Sequence, residues 1–452
     1  MAWIYLALIF SVVILLFIIG KRPMYEVMFL ALVVLLIVSG RWQHFMTYMT
    51  ETVGSYLLFT MAMFIIFGTI VEKTGIVTDI LDVIAALAGR FTGGAGYVTL
   101  IAGAAMSSVC GSGTGTVAAA GTFMIPAMKK TGFSPELAAT TTAAAGTLGP
   151  LIPPSAAIPV MYSMLVAVFP GYCTASQFWM LAWPVCFWLF IQRLITLYVL
   201  IRKNNVQPIP PEDRMPLKKA LKKGWRTLLL PVLMAALFVF DNIFKDTLIA
   251  DRLGSYGAET FSQVVLVTVP CIACVFVLLL WLGKGNKLSV KEGYRMVSAG
   301  VTVVAPIIMM TFSGFAMGSL LNDLELASQI SAQFAAWGIS KWGVIIVAPL
   351  IFTLLGMFME SSAVYFLLGP VFIPIAISVG IDPMLAAMMV NVLANGMGQM
   401  SPPFALCLLL SMGIAESDFK KTSVQAAGWC AAQYIAVVLM LGGMLPMFGF
   451  LK

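Results

Sequence analysis

Four short stretches of the chain combine oxygen-bearing side chains with residues that free the backbone from regular helix. Gly111-Ser-Gly-Thr-Gly-Thr116 and Gly356-Met-Phe-Met-Glu-Ser-Ser362 interrupt apolar segments. Each is followed by a second interruption, Gly146-Thr-Leu-Gly-Pro-Leu-Ile-Pro-Pro-Ser155 and Asn395-Gly-Met-Gly-Gln-Met-Ser-Pro-Pro403. Proline removes a donor and unseats the carbonyl four residues back. Glycine lets backbone groups approach closely. The freed carbonyls and hydroxyls are hard oxygen ligands suited to a small cation, and half-helix N-termini beside them suit an anion. The candidate cation ligands are Ser112, Gly113, Thr114, Thr116, Gly146 and Thr147 in the first half. Those in the second half are Glu360, Ser361, Ser362, Asn395, Gly398 and Ser401. Pro153, Pro154 and Ser155, with Pro402 and Pro403, bracket the place of a substrate. One break alone reads as a kink. Broken helices in matched pairs point to a transport site at the membrane midplane.

Glu360 is an acid inside the otherwise uncharged run 345–379. An acid at membrane depth is a functional candidate by default. It can bind a cation, carry a proton, or cap a half-helix at a wet tip, and the residues leave these open. A place in a second cation site, with Gly398 and Ser401 opposite, is the expectation tested below.

Other chemistries find little support. His44 is the single histidine, which excludes a multi-histidine metal site. Cys271 and Cys274 form a CxxC inside VTVPCIACVFVLLL, where small packing residues are the simpler account. An intramembrane zinc protease lacks ligands. An aspartyl protease needs two embedded aspartates, whereas Asp323 and Asp382 fall in expected outer loops. The chain therefore reads as no enzyme. No arginine presents itself as a buried carboxylate clamp, and Arg295 lies near a membrane boundary. A pore-type channel would not need paired interruptions.

The elements that must position these residues are membrane helices. Of 452 residues, 61% are hydrophobic and 10% charged, and the mean hydropathy is +0.99. Soluble domains carry about 25% charged residues. Long apolar runs occupy 2–19, 24–38, 56–71, 178–201, 228–244, 264–282 and 424–445, each near the length that spans a bilayer as helix. The net charge of +7 reflects basic residues in short loops. Such loops set topology and mark the cytoplasm, so nucleic acid is not an expected partner and the lipid bilayer is. The first run lacks a basic n-region and a cleavage site, and Lys21–Arg22 follow it. It reads as a retained helix with a periplasmic N-terminus.

Offset by 248 positions, the chain matches itself: Gly121 meets Gly369, Pro126 meets Pro374, Pro135 meets Pro383, and Ser163-Met164 meets Ser411-Met412. Lys129–Lys130 meet the uncharged Ile377–Ser378, the sign expected of inverted topology. The expected fold is an all-α polytopic membrane protein built from two inverted repeats. Each has scaffold helices, a re-entrant hairpin and a broken helix. Residues 1–201 form the first repeat, with its hairpin at 97–128 and broken helix at 135–168. A basic cytoplasmic linker covers 202–226. Residues 227–452 form the second, with its hairpin at 343–377 and broken helix at 383–412.

At these residues the chain resembles the large membrane subunit of tripartite ATP-independent periplasmic (TRAP) transporters, a branch of the ion-transporter superfamily. The stretches GSGTGTVAAAGTFMIPAMKKTGFSPELAATTTAAAGTLGPLIPPS and LGMFMESSAVYFLLGPVFIPIAISVGIDPMLAAMMVNVLANGMGQMSPPFAL carry the likeness. The resemblance implies sodium-driven uptake of organic acids across the bacterial inner membrane by an elevator mechanism. It also implies a small four-helix membrane subunit and a periplasmic substrate-binding protein as partners. A stand-alone anion carrier of the same superfamily is the alternative. The chain departs from the family pattern at Gly113, where a serine is usual, and at Glu360, where an aspartate is. It departs also at Ser401, usually threonine, at Ala394, usually asparagine, and at Gly254-Ser-Tyr-Gly-Ala-Glu259, where a Thr-Pro-Thr-Glu run is usual.

Overall fold

In the computed structural model, residues 2–204, 206–213, 216–403 and 405–451 are described. Among them every regular element is helical, with no strand. Six helices are long and apolar enough to cross a membrane, among them Tyr56–Thr74, Ala175–Lys203 and Val290–Asp323.

Two helical hairpins stand out. The first joins Gly94–Cys110 to Gly113–Lys130, and the second joins Lys341–Gly356 to Ser361–Ser378. A broken helix follows each. The first runs Pro135–Leu148, turns through a 3-10 segment at Gly149–Leu151, and resumes at Ala157–Val168. The second runs Pro383–Asn391, widens into a π-helical turn at Val392–Met397, tightens at Gly398–Met400 and resumes at Leu406–Ala415. Both start alike. Ser134 and Asp382 cap the helices by accepting from Leu137 N and Leu385 N at 3.2 and 3.0 Å, each with proline at the first helical position.

The spacing of 248 holds at Pro135 and Pro383, where the two broken helices begin. It becomes 249 at Gly149 and Gly398, where the 3-10 turns begin. The π-turn in the second half absorbs the extra residue. This corrects the register past the break, where Ser163 now stands opposite Met412 rather than Ser411. Both Pro153-Pro154 and Pro402-Pro403 are cis peptides, again 249 apart.

Both broken helices are buried on all sides, over Leu137–Leu148 in one and Met384–Met400 in the other. A helix buried all round must be apolar or self-satisfied all round. Alanines and threonines meet that need, and Thr140 and Thr142 return their hydroxyls to the carbonyls of Glu136 and Ala138 at 3.0 and 2.9 Å. The hairpins, Ala175–Lys203 and Phe419–Leu441 pack around this central pair.

Helix ends differ from expectation where charged residues flank apolar runs. The helix expected at 228–244 begins at Leu217, so the basic stretch is helical and the connection before it is shorter than residues 202–226. The helix Val290–Asp323 likewise starts among charged residues, behind a Ser289 cap that accepts from Glu292 N at 3.1 Å. Lysine and glutamate are good helix formers, so hydropathy under-reads such ends. Between the apolar runs 228–244 and 264–282 the chain makes a helical bend, turning at Gly254 with φ 74° and ψ 172°, a backbone setting open to glycine.

Candidate functional site

Each hairpin tip meets the break that follows it through glycine. A methyl placed on Gly113 would lie 2.9 Å from the carbonyl oxygen of Gly146, and one on Gly146 would lie 2.9 Å from that of Gly113. In the second half the approach is closer. A methyl on Gly356 would lie 2.4 Å from Cα of Gly398, and one on Gly398 would lie 2.8 Å from Cα of Gly356. Only glycine permits backbone to approach backbone in this way.

At the first tip, Gly111 ends one helix with φ 69° and Ser112 starts the next. The Ser112 hydroxyl accepts from Gly115 N at 3.1 Å and lies 3.1 Å from Thr114 Oγ1. Ser112 is therefore a helix cap as well as a candidate ligand. Thr116, one turn further, is buried, and its hydroxyl has no hydrogen-bond partner among the described residues. In the first break, Ser107 donates to the carbonyl of Gly146 at 2.8 Å. The Thr147 hydroxyl lies 3.3 Å from the Ala144 carbonyl and accepts from Arg193 at 3.2 Å. Pro153, Pro154 and Ser155 are buried, and Ser155 accepts from Ala157 N at 3.2 Å.

At the second tip, Glu360 holds the N-cap position of Ser361–Ser378, yet its side chain accepts no capping bond from the backbone. Its carboxylate instead accepts from the hydroxyl of Ser362. Ser361 and Ser362 are buried. In the second break, Asn395 donates to Asn391 Oδ1 at 2.5 Å, and Asn391 donates to the carbonyl of Pro150 at 3.0 Å. Gln399 donates to the Met359 carbonyl at 3.3 Å, while its own Oε1 is buried without a partner among the described residues. Ser401 donates to the Met397 carbonyl at 2.7 Å and lies 3.3 Å from Cys430 Sγ, so its hydroxyl addresses the last helix. Gly398 meets the tip at Gly356, four residues before Glu360. Pro402 is half-buried and Pro403 exposed.

The two halves also touch each other. Cys407, just past the second break, reaches the first tip, where a methyl on Gly113 would lie 3.2 Å from its sulfur. Lys129 donates to the carbonyl of Ala415 at 2.5 Å, a cation on the C-terminal end of Leu406–Ala415.

One expectation is overturned. Arg193 is a fully buried arginine, in the middle of Ala175–Lys203, and it reaches both breaks. The charge was legible in the run FWLFIQRLITLYVL, where an ionisable residue among apolar ones is a functional signal. Asn391, Gln399 and Gln433 join the site with it. Asp241 is a second buried charge outside the site, accepting from Ser176 and, at 2.9 Å, from Ser262.

A cavity of about 400 Å³ opens beside the first tip. Ser112 and Gly115 line one wall, and Thr69, Glu72, Lys73 and Thr302 from Tyr56–Thr74 and Val290–Asp323 line the other. It has the size of a small-molecule site.

A family model described as "Tripartite ATP-independent periplasmic transporter, DctM component" matches residues 4–446. The C4-dicarboxylate TRAP transporter large permease protein DctM of Vibrio cholerae is 25% identical over 411 residues, covering 86% of this chain and 84% of the relative. The sialic acid TRAP transporter large permease protein SiaM of the same organism is 23% identical over 403 residues, covering 88% and 87%. Among solved structures, the Alcanivorax borkumensis YdaH transporter superposes with a TM-score of 0.65 at 16% identity, over 90% of each chain, a likeness of fold.

Proposed function

This chain belongs to the DctM component family of tripartite ATP-independent periplasmic transporters, and on that premise we propose that it imports a small organic anion, a carboxylate, coupled to sodium. It is a large permease subunit and a multi-pass membrane protein of helical fold. The observation that carries the proposal is the pair of glycine-to-glycine contacts between tip and break. Each contact gathers two chain interruptions and their oxygens at one point, and such paired interruptions are where transporters hold cargo and coupling ions.

In this reading sodium is co-transported cargo. Oxygens left unused by the protein sit where it would need them. Thr116 Oγ1 near the first tip and Gln399 Oε1 near the second are buried without a hydrogen-bond partner among the described residues. Ser112, Gly113, Thr114, Gly146 and Thr147 complete the first site, Thr147 through its main-chain carbonyl because its hydroxyl accepts from Arg193, and Glu360, Ser361, Ser362, Asn395, Gly398 and Ser401 supply the second. Glu360 adds a carboxylate that offsets the ion's charge. The anion lies between the tips and the proline pairs, at Pro153, Pro154, Ser155, Pro402 and Pro403, and reaches the cell interior through the cavity at Lys73. The two halves lie in opposite senses across the inner membrane, with the N-terminus periplasmic. The hairpins and broken helices move as one body against the scaffold. A periplasmic binding protein delivers the substrate, and a small four-helix subunit completes the complex.

The test is uptake into proteoliposomes holding this chain and its small subunit, with binding protein and radiolabelled succinate or sialic acid outside. An inward sodium gradient should drive accumulation, and an equal potassium gradient should not. Equal uptake under both gradients refutes sodium coupling. Full uptake without the binding protein would make this a stand-alone carrier. Impermeant thiol labelling of cysteines placed at Lys129 and Asp382 tests the orientation, since labelling from the same side rejects the opposed halves.

A further inference from the structure

Arg193 has 0% exposure, and the groups its guanidinium contacts among the described residues are uncharged. Nη2 donates to Thr147 Oγ1 at 3.2 Å, to the Gly396 carbonyl at 3.2 Å and to Gln433 Oε1 at 2.5 Å. Nη1 lies 3.1 Å from Met400 Sδ. The guanidinium carbon sits 5.7 Å from the centroid of the Trp429 ring. None of the ion pairs among the described residues includes it.

Buried charges are ordinarily paired with an opposite charge, because desolvation is costly. Here neutral acceptors do that work. Three oxygens come from three separate elements, the first break, the second break and Phe419–Leu441. A thioether and an aromatic face add to these contacts, and Nε is buried without a hydrogen-bond partner among the described residues. That is how a protein coordinates a cation with neutral ligands. A purely mechanical tie between helices would not need charge, since an amide such as glutamine can donate to the same oxygens.

We propose that the junction of the two broken helices is a cation site that the chain fills with its own guanidinium. Arg193 thereby gives the central helix pair a fixed positive charge behind both breaks. Such a charge favours an anion in front of the breaks. It also keeps a free cation from Thr147 Oγ1 while the guanidinium is in place. Arg193 is in this sense a positioning residue. The inference stands on contacts alone and does not require sodium coupling.

Chemical rescue tests it. The full chain carrying Arg193→Ala, purified in detergent, should melt below wild type. Millimolar guanidinium chloride should restore most of the lost melting temperature, while urea, which is neutral and of similar shape, should not. Wild type should show no such gain. Guanidinium and urea acting alike on the alanine variant would overturn the proposal. If that variant does not fold, Arg193→Lys and Arg193→Met decide. Lysine keeping a higher melting temperature than methionine supports a cation site. Methionine melting as high as lysine, or neither variant folding, shows that charge is not what the junction needs.

Discussion

Asn391, on the second broken helix, donates a 3.0 Å hydrogen bond to the carbonyl of Pro150 in the first break. Its own carbonyl accepts from Asn395 one turn later at 2.5 Å. One buried amide thus links a loose end of each broken helix. Asn391→Leu keeps the volume and leaves two buried groups without their partner. The expected loss is about 1–3 kcal/mol, the cost of stranding a buried polar group. Melting of the purified variant at the wild-type temperature would show that the link contributes nothing.

The two glycine contacts differ in tightness, and substitution should reveal it. A methyl at Gly356 meets Cα of Gly398 at 2.4 Å, with backbone on both sides. At Gly113 the nearest atoms stand at 2.9 and 3.2 Å, the second being the Cys407 sulfur. Overpacking costs about 1–3 kcal/mol where neighbours can shift and more where they cannot. Gly356→Ala should therefore lower the melting temperature further than Gly113→Ala. The reverse order would mean that the second contact is looser than the distances state.

Glu360→Gln separates charge from shape. The carboxylate caps no backbone amide, so folding should survive the change. Interactions with a charged group are worth about 1.5–3 kcal/mol, so uptake should fall about tenfold or more. The Hill coefficient for sodium should drop with it. Wild-type uptake with unaltered cooperativity would leave the second ion to hydroxyls and carbonyls alone.

Two tyrosines outside the membrane-crossing helices, each paired with an aspartate, make stability depend on alkaline pH. Tyr48 donates to Asp323 at 2.6 Å, and burial followed by that bond pushes its pKa up from 10.0 to about 12. Tyr172 donates to Asp382 at 3.0 Å, and the same two causes push it up to about 12. The fold favours the neutral phenol, whose pKa is higher folded than unfolded. The contribution is whole below pH 10 and is lost as pH climbs through about 12. Melting of wild type and of the Tyr48→Phe, Tyr172→Phe double variant should differ below that window and converge above it. A constant gap would contradict the assignment.

Much of the site was legible because glycine and proline punctuate it. Gly111, Gly113, Pro150 and the two proline pairs mark where helix cannot continue, and the structure breaks helix at those places. Hydropathy passes over Arg193, since one charge among leucines and phenylalanines vanishes in a window average, although the residue itself stands in the run. Its partner Gln433 lies 240 residues away, and no local pattern joins them. The shift from 248 to 249 was hidden for a related reason. Pro154 meets Pro402 at 248 as well, whereas the full pair Pro153-Pro154 meets Pro402-Pro403 at 249, and the 3-10 turns before the pairs fix that offset. Ser401 follows the 3-10 turn of the second break, but which way its hydroxyl turns depends on the neighbouring helix and its Cys430.

The π-turn at Val392–Met397 sets how far the two halves are interchangeable. One extra residue in an ordinary helix would swing every later side chain round by about 100°. Here the widened turn swallows that rotation before Gly398, and the prolines beyond it keep their places. A chimera that grafts one break onto the other half must therefore carry its whole turn. Cut at the wrong residue, it would be out of phase by a third of a revolution, with each oxygen still present and none aimed where it was.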